Sequence, residues 1–585
     1  MRHPGSSPRR ATARRGLCAA LTALMVLVAA SAAASESLEV AWRRGGVGEY
    51  ARLINPAPGE VIAAPPAAAA LDRRLDTPLG SIWKLFVHVY LFERDLAAPD
   101  YTCDGTAPKD EAFCCAPGGS IGADQALACS CGLFFAPSRL NVTAEDWRAF
   151  WSAQLHALPG GTPPPDAAWL LDLSRVAPGT RVSVASLLAA LAAVPARARQ
   201  RAERALLDVV VAAQPLPARH LGATLRVKTW TWDHPTRAGA HAGGFAGWLA
   251  DGTPLWTRGE GGGMQVLQRW APMLARHFGD VRPPDESECV IVDFFARYPI
   301  RQVVERSSGA PAAAGLLDGT YRVEFQNGRS VDITSRGTLR LARDTSAPTL
   351  SARLGLNDYV ARVLDREAAA RPMEAARALA IAARSWLVQN ADRRQGCWHI
   401  ADESRAQRVS PNPPSDAGRR VAGWTDGLIV AGAPVTYHRS QASRNTLAWL
   451  DAVDLAASGL PFDQILAAAY PDGRLATLHG AGRATCERLS GVERWLAERA
   501  GAWRMRLHAE RGFEPPRLPV AACRLVHGRP FADAEQSRIH VRGIATTDDR
   551  ITVAHEYLHL AFRFHPRGLD EDFVERLARE LVREP

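Results

Sequence analysis

Ser81 and Lys84 stand three residues apart in the string Gly80, Ser81, Ile82, Trp83, Lys84. On a helix, positions i and i+3 share a face, so the hydroxyl and the amine come within hydrogen-bond reach, and an amine that gives up its proton can activate a serine nucleophile. Lysine is scarce: only Lys84, Lys109 and Lys228 occur, although lysine and arginine together number 70. Arginine holds its proton near neutral pH, so a site that needs an amine for proton transfer keeps lysine. Lys228 opens Lys228, Thr229, Trp230, Thr231. Together these residues read as serine acyl-transfer chemistry. Near the other end, His555, Glu556, Tyr557, Leu558, His559 form an H-E-x-x-H whose i, i+4 spacing puts both imidazoles on one helix face. That pattern suits Zn2+, with Glu556 activating a metal-bound water. The third ligand is open among Glu571, His565, Asp570 and Glu575. In an unbroken helix, six residues rotate His565 about 240° from His559, which does not converge on one ion.

These residues need elements to hold them. Residues 38–42 and 50–55, with a turn at 56–59 and a strand at 61–63, read as a hairpin region. The spacing predicts a helix over 77–96 with Ser81 in its first turn, and a long alanine-rich helix over 183–213 broken near Pro195. Strand patterns return at 225–232 and 244–256, and the mixed α/β unit ends near Arg282, Pro283 and Pro284. Short strands follow at 290–295, 319–325, 330–334 and 338–342, then a strong helix over 373–389. A last unit holds predicted helices at 492–507, 550–564 and 570–582. No internal repeat is evident.

At 585 residues the chain is too long for a single core, and about three to four units fit. Arg9, Arg10, Arg14 and Arg15, an apolar run over 17–30 and small residues at 31–34 read as a signal peptide over 1–34. The apolar run is short for a spanning helix, so removal is expected, and no later segment is apolar enough to cross a membrane. The formal charge of +9 includes five leader arginines and no leader acid, which leaves +4 beyond the leader. Without a clustered basic stripe and interleaved aromatics, nucleic acid is not an expected partner. The protein is expected to be periplasmic or secreted.

Of ten cysteines, Cys18 lies in the leader, and the other nine in an oxidising space read as disulfides with one thiol left over. Cys103, Cys114, Cys115, Cys129 and Cys131 cluster, and Cys486 and Cys523 could close a C-terminal loop. Cys397 with His399 is a weak half-site for metal, so a disulfide or a buried thiol is preferred there.

The order Ser81 to Lys84, then Ser130, Cys131, Gly132, then Lys228, Thr229, Trp230, Thr231 resembles the penicillin-binding transpeptidases and serine β-lactamases. The resemblance implies an acyl-enzyme on Ser81, Lys84 as base, Ser130 as proton shuttle, and Lys228 with Thr229 holding a substrate carboxylate. It also implies an oxyanion hole from the amides of Ser81 and Thr231. Gly132 stands where that pattern has asparagine, and Trp230 where it has glycine.

The stretches 356–367 and 374–386, with Asp402, Ser404, Gln407 and 427–438, resemble stage II sporulation protein D, a family that contains lytic transglycosylases. The resemblance puts the catalytic glutamate at Glu367, sets Glu374 at the start of the following helix, and implies that Gln407 and His438 contact substrate. One raised-pKa glutamate in a groove suffices to protonate the leaving oxygen and then take a proton. Ala368 and Ala369 replace the usual Met-Pro. Residues 568–575 look like the second ligand helix of the gluzincin metallopeptidases, which implies Glu571 as the third ligand.

The whole order resembles an uncharacterised bacterial secreted family of the YfaQ type. The expected fold is multidomain α+β: a transpeptidase-like α/β domain over 36–282, a sporulation-protein-D-like domain over 287–478 and a small helix-rich zincin-like domain over 484–585. The leading expectation is a cell-wall remodelling protein acting on peptidoglycan or murein peptides, with Glu367 cleaving glycan. A zinc metallopeptidase and a non-catalytic murein-binding scaffold are the alternatives.

Overall fold

The computed structural model describes residues 36–583 apart from 56–66, 97, 159–164, 213–215, 235, 238, 280, 282, 284–287, 344–346, 404–405, 481–486, 517–519, 526–529 and 534–536. The leader over 1–34, the turn and strand over 56–63, Arg282, Pro284, Ser404 and Cys486 lie outside the described residues.

Strands β1 (Ser37–Arg44) and β2 (Val47–Ile54) form the expected hairpin, with Leu38, Val40 and Trp42 of β1 turned into the core. The helix expected over 77–96 begins later. Residues Asp76–Pro78 pair as a short strand with residues 181–183, and the Thr77 hydroxyl accepts a bond from Trp256 Nε1 at 3.2 Å, so Thr77 is held extended. A 3-10 turn, Gly80–Ile82, then runs into α1 (Trp83–Glu93). The long alanine-rich stretch breaks at Pro195 as expected, giving Val184–Ala192 and α2 (Ala196–Ala212).

After β3 (Leu225–Asp233), the strand expected over 244–256 is a hairpin of β4 (His241–Leu249) and β5 (Pro254–Glu260). Its turn is fixed by the Asp251 carboxylate, which accepts from the Thr253 amide at 2.9 Å. The amphipathic helix α3 (Gly263–Phe278), absent from the sequence reading, covers this sheet. The sheet is six-stranded and antiparallel, in the order Ala69–Ala70, β2, β1, β5, β4, β3, which leaves β3 at an edge.

The second sheet has seven strands and takes in β6 (Cys289–Phe294), β7 (Ile300–Glu305), β8 (Gly315–Phe325), β9 (Ser330–Arg343) and β10 (Pro348–Gly355). Helices α4 (Leu356–Glu367) and α5 (Met373–Asn390) follow, then β11 (Cys397–Ala401), which runs parallel to β6 and is tied to it by the Cys289–Cys397 disulfide. Cys397 is therefore no metal ligand. The C-terminal unit comprises α6 (Ser490–Leu507), three short strands over 521–541, α7 (Thr547–Ala561) and α8 (Glu571–Arg583). The chain is thus a multidomain α+β protein.

One cluster of buried apolar side chains runs from Leu38 to Tyr470 across both large sheets, and a separate one spans Val492 to Leu581. Buried ion pairs stitch the first two units together: Arg226 meets Asp426 at 2.9 Å and Arg219 meets Asp463 at 2.7 Å, with the Asp463 carboxylate only 4% exposed.

Glu203 on α2 lies 3.4 Å from Arg199, and burial pushes its carboxyl up to about 7 even though Arg199 and Arg226 oppose the shift. A carboxyl whose folded pKa exceeds its unfolded value binds its proton more tightly when folded, so stability falls as pH rises between the two. The cost is absent below about 4.5 and complete above about 7. We expect chemical denaturation at pH 4.5 and 7.5 to show a drop on the order of 3 kcal/mol that Glu203→Gln removes.

Candidate active sites

Lys84 gathers the first site. Its Nζ donates to the Ser130 carbonyl at 2.6 Å and to Ser130 Oγ at 3.0 Å, and lies 3.4 Å from Ser81 Oγ. The Lys84 side chain is nearly buried while Ser81 and Ser130 remain partly open to solvent. Ser130 ends the helix Ala123–Cys129 in a left-handed conformation (φ 68°), uncommon for a residue other than glycine, which turns its carbonyl and hydroxyl toward Lys84. The Cys114–Cys131 bridge anchors the next residue, and Cys103–Cys115 braces the same loop. Cys129 is buried and takes part in no disulfide, while Cys523 is disulfide-bonded.

Gly80 brings this turn onto β3. Its φ is +48°, and a Cβ there would come within 3.0 Å of Trp230 Cβ and 3.8 Å of the Thr231 nitrogen. Strand alternation puts Lys228 and Trp230 on one face and Thr229 and Thr231 on the other. Lys228 is fully buried and donates to the Thr229 carbonyl at 3.2 Å. Trp230 is buried as well, stacked toward Trp256 at 6.4 Å, so it fills the core below Gly80 and does not stand in the open cleft. The Thr231 hydroxyl accepts from the Gly263 amide at 2.9 Å, so it faces α3, while its backbone passes close to Gly80, the residue before Ser81. A Cβ on Gly132 would sit 3.8 Å from Lys84 Nζ, so the missing asparagine leaves space beside the amine.

The second cluster surrounds Glu367, half-buried at the end of α4, whose Oε1 accepts from the Arg408 amide at 2.9 Å. Burial holds the Tyr437 hydroxyl well above its usual range and the Glu367 charge adds to the effect; the same pair of causes acts on Tyr359, with Tyr437 and Asp402 contributing. Asp402 is itself pushed up by burial, opposed by the Val409 amide it accepts at 2.9 Å. Gln407 does not fit the substrate contact expected of it. It is 1% exposed, takes a bond from the Tyr359 hydroxyl and donates to the Ala383 carbonyl at 3.0 Å, so its amide is spent on positioning Tyr359. His438 is exposed, and its Nδ1 accepts from the amides of Ser440 and Gln441. Glu374 opens α5 and accepts from the Phe462 amide at 2.8 Å, a structural duty.

In the third cluster, one turn of α7 aligns His555 with His559, and α8 delivers Glu571: His555 Nε2 lies 3.0 Å from His559 Nε2 and 3.1 Å from Glu571 Oε2. Glu575, one turn further along α8, meets His555 Nδ1 at 3.0 Å, and the Gly568 carbonyl meets His559 Nδ1 at 2.7 Å. Burial alone lowers the His555 pKa, but the carboxylates of Glu571, Glu556 and Glu575 outweigh it and push it up to about 9. Glu556 is buried, which drives its carboxyl up against the opposing imidazoles. The chain turns between the helices because a Cβ on Gly568 would strike the Phe562 carbonyl at 2.5 Å. His565 packs away from the cluster, its ring against Gly512 and its Nδ1 accepting from the Arg567 amide. Sequence reasoning missed the orienting roles of Glu575 and Gly568. The i, i+4 spacing of Glu571 and Glu575 on one helix face was the available signal.

Residues 106–238 and 445–567 match the model described as predicted secreted protein (DUF2300), in keeping with the exported address read from the N-terminal residues. No helix among the described residues is long and apolar enough to cross a membrane. Residues 345–416, which hold Glu367 and Gln407, match a model described as stage II sporulation protein. Among solved structures, a β-lactamase from Desulfarculus baarsii is similar at 14% identity and a TM-score of 0.26, over 45% of this chain and 99% of that one. A peptidoglycan synthetase from Bifidobacterium adolescentis is similar at 10% identity and a TM-score of 0.29, over 43% and 58%. The uncharacterized protein YfaQ of Escherichia coli (strain K12) is 43% identical over 515 residues, covering 88% of this chain and 91% of its own length. The chain belongs to the same family as that E. coli protein.

Proposed function

We propose that the protein acts on the bacterial cell wall outside the cytoplasm, with Ser81 as the nucleophile of an acyl-transfer centre for the peptide stems of murein. The observation that carries this reading is the contact of Lys84 with both Ser81 and Ser130. Lys84 takes the Ser81 proton as Oγ attacks the peptide carbonyl, and Ser130 passes a proton to the departing amine, leaving an ester on Ser81. The open edge of β3 pairs with an extended peptide, and the amides of Ser81 and Thr231 stabilise the oxyanion. Lys228 contributes positive charge for the substrate carboxylate. Labelled penicillin is expected to attach covalently to the full chain and to fail on Ser81→Ala; equal labelling of both would sink the assignment.

A second activity has support in the match around Glu367, whose charge acts on the hydroxyls of Tyr437 and Tyr359 in the central unit. In this reading Glu367 protonates the glycosidic oxygen as the bond to the anomeric carbon breaks, then takes the proton of the sugar's own hydroxyl as that oxygen bonds the same carbon, and the anhydro-muropeptides so released from sacculi disappear in Glu367→Gln. Neither label nor release, with sacculus binding retained, would leave a non-catalytic murein-binding scaffold.

A further inference from the structure

We infer that His555, His559 and Glu571 form a mononuclear site for a divalent cation of the zinc class, which clamps α7 to α8. A tetrahedral ion with bonds of about 2.0–2.1 Å to nitrogen and oxygen needs ligand atoms roughly 3.3 Å apart. His555 Nε2 lies 3.0 Å from His559 Nε2 and 3.1 Å from Glu571 Oε2, and the other Glu571 oxygen, Oε1, lies 3.8 Å from His559 Nε2. With one ligand atom taken from each of the three residues, the atoms all lie within 4.8 Å of one another, so small side-chain adjustments bring them to that spacing.

The other ring nitrogens are already committed in the manner of metal ligands. A metal-bound imidazole usually hands its second nitrogen to a carboxylate or a carbonyl, which fixes the ring and its tautomer. Glu575 takes His555 Nδ1 at 3.0 Å and the Gly568 carbonyl takes His559 Nδ1 at 2.7 Å, so in the neutral rings that an ion would select each Nε2 presents a lone pair to the shared point. A surface ion-pair network needs no such division of roles between the two nitrogens. Two imidazoles and one carboxylate, all nitrogen or oxygen donors, suit Zn2+ better than Ca2+ or Mg2+. The imidazoles are 15% and 19% exposed and Glu571 is 52% exposed, so the fourth position opens toward solvent on the Glu571 side. Three protein ligands with one open position are the arrangement of sites that bind water or substrate, and structural zinc sites usually close with four.

This inference stands apart from the acyl-transfer reading, and either can fail alone. The full chain, stripped with a chelator and dialysed against Zn2+, is expected to hold about one ion per chain by elemental analysis and to unfold at a higher temperature than the stripped protein. Glu571→Gln, at an exposed position, should fold and lose the ion. Glu575→Gln should retain it with affinity lowered about 10–100-fold. Glu556→Gln should keep full metal content, because that side chain is assigned no bond to the ion. Full metal content in Glu571→Gln, or in His555→Ala, would expose adventitious binding and overturn the site, as would a wild-type chain that takes up no zinc.

Discussion

Lys84→Met is expected to slow acylation of Ser81 by labelled penicillin ~10²–10⁴-fold, the usual contribution of a positioned general base. Methionine preserves length and apolar volume, so the fold survives while the amine 3.4 Å from Ser81 Oγ is lost. The same change removes the donor that holds the Ser130 carbonyl at 2.6 Å, so the shuttle hydroxyl is also released. Because the two roles meet in one amine, Ser130→Ala should cost less than Lys84→Met, and the double variant little more than Lys84→Met alone. Stopped-time labelling over a range of penicillin concentrations measures all three. An unchanged rate in Lys84→Met would mean that Ser81 is acylated without this amine or not at all.

Arg384→Met should destabilise the folded chain by about 3–5 kcal/mol, comparable to breaking a buried charged network. Arg384 is fully buried, and its guanidinium donates to the carbonyls of Thr425 at 2.7 Å, Ala422 at 3.1 Å and Leu428 at 3.1 Å and to Asn357 Oδ1 at 3.0 Å. Asn357 passes the connection to Asp426 at 2.8 Å, which in turn holds Arg226 of the first unit. Burial lowers the arginine to about 10, with Asp426 opposing, so it stays charged at neutral pH. Truncation therefore leaves three carbonyls without their donor in the seam between the two large units. Chemical denaturation should show the loss, and a cycle with Arg226→Met should show coupling through Asp426.

Local spacing made the chemistry legible and long-range packing hid its supports. Ser81 with Lys84, and His555 with His559, were readable because helical period alone decides which side chains share a face. Glu571 was readable only through resemblance, since the turn that swings α8 back over α7 depends on Gly568 passing close to the Phe562 carbonyl. Thr77 shows the opposite failure. Its helical surroundings are overruled by a strand partner more than one hundred residues away. Gln407 and Arg384 sit in the stretch that resembles a catalytic family, yet burial turns both into scaffolding. Alternation alone already places Trp230 opposite Thr231, but the depth of the Trp256 layer that receives it is a tertiary fact.

The loop that carries Ser130 owes its shape to two covalent ties, Cys103–Cys115 and Cys114–Cys131. Thiols in the cytosol are kept reduced, so a newly made chain carries that loop unfastened until it reaches an oxidising space. Under the acyl-transfer proposal, export would then arm the site: the hydroxyl at 130 would be fixed beside its amine only where an oxidant is at hand, and a chain retained in the cytosol would lack that brace.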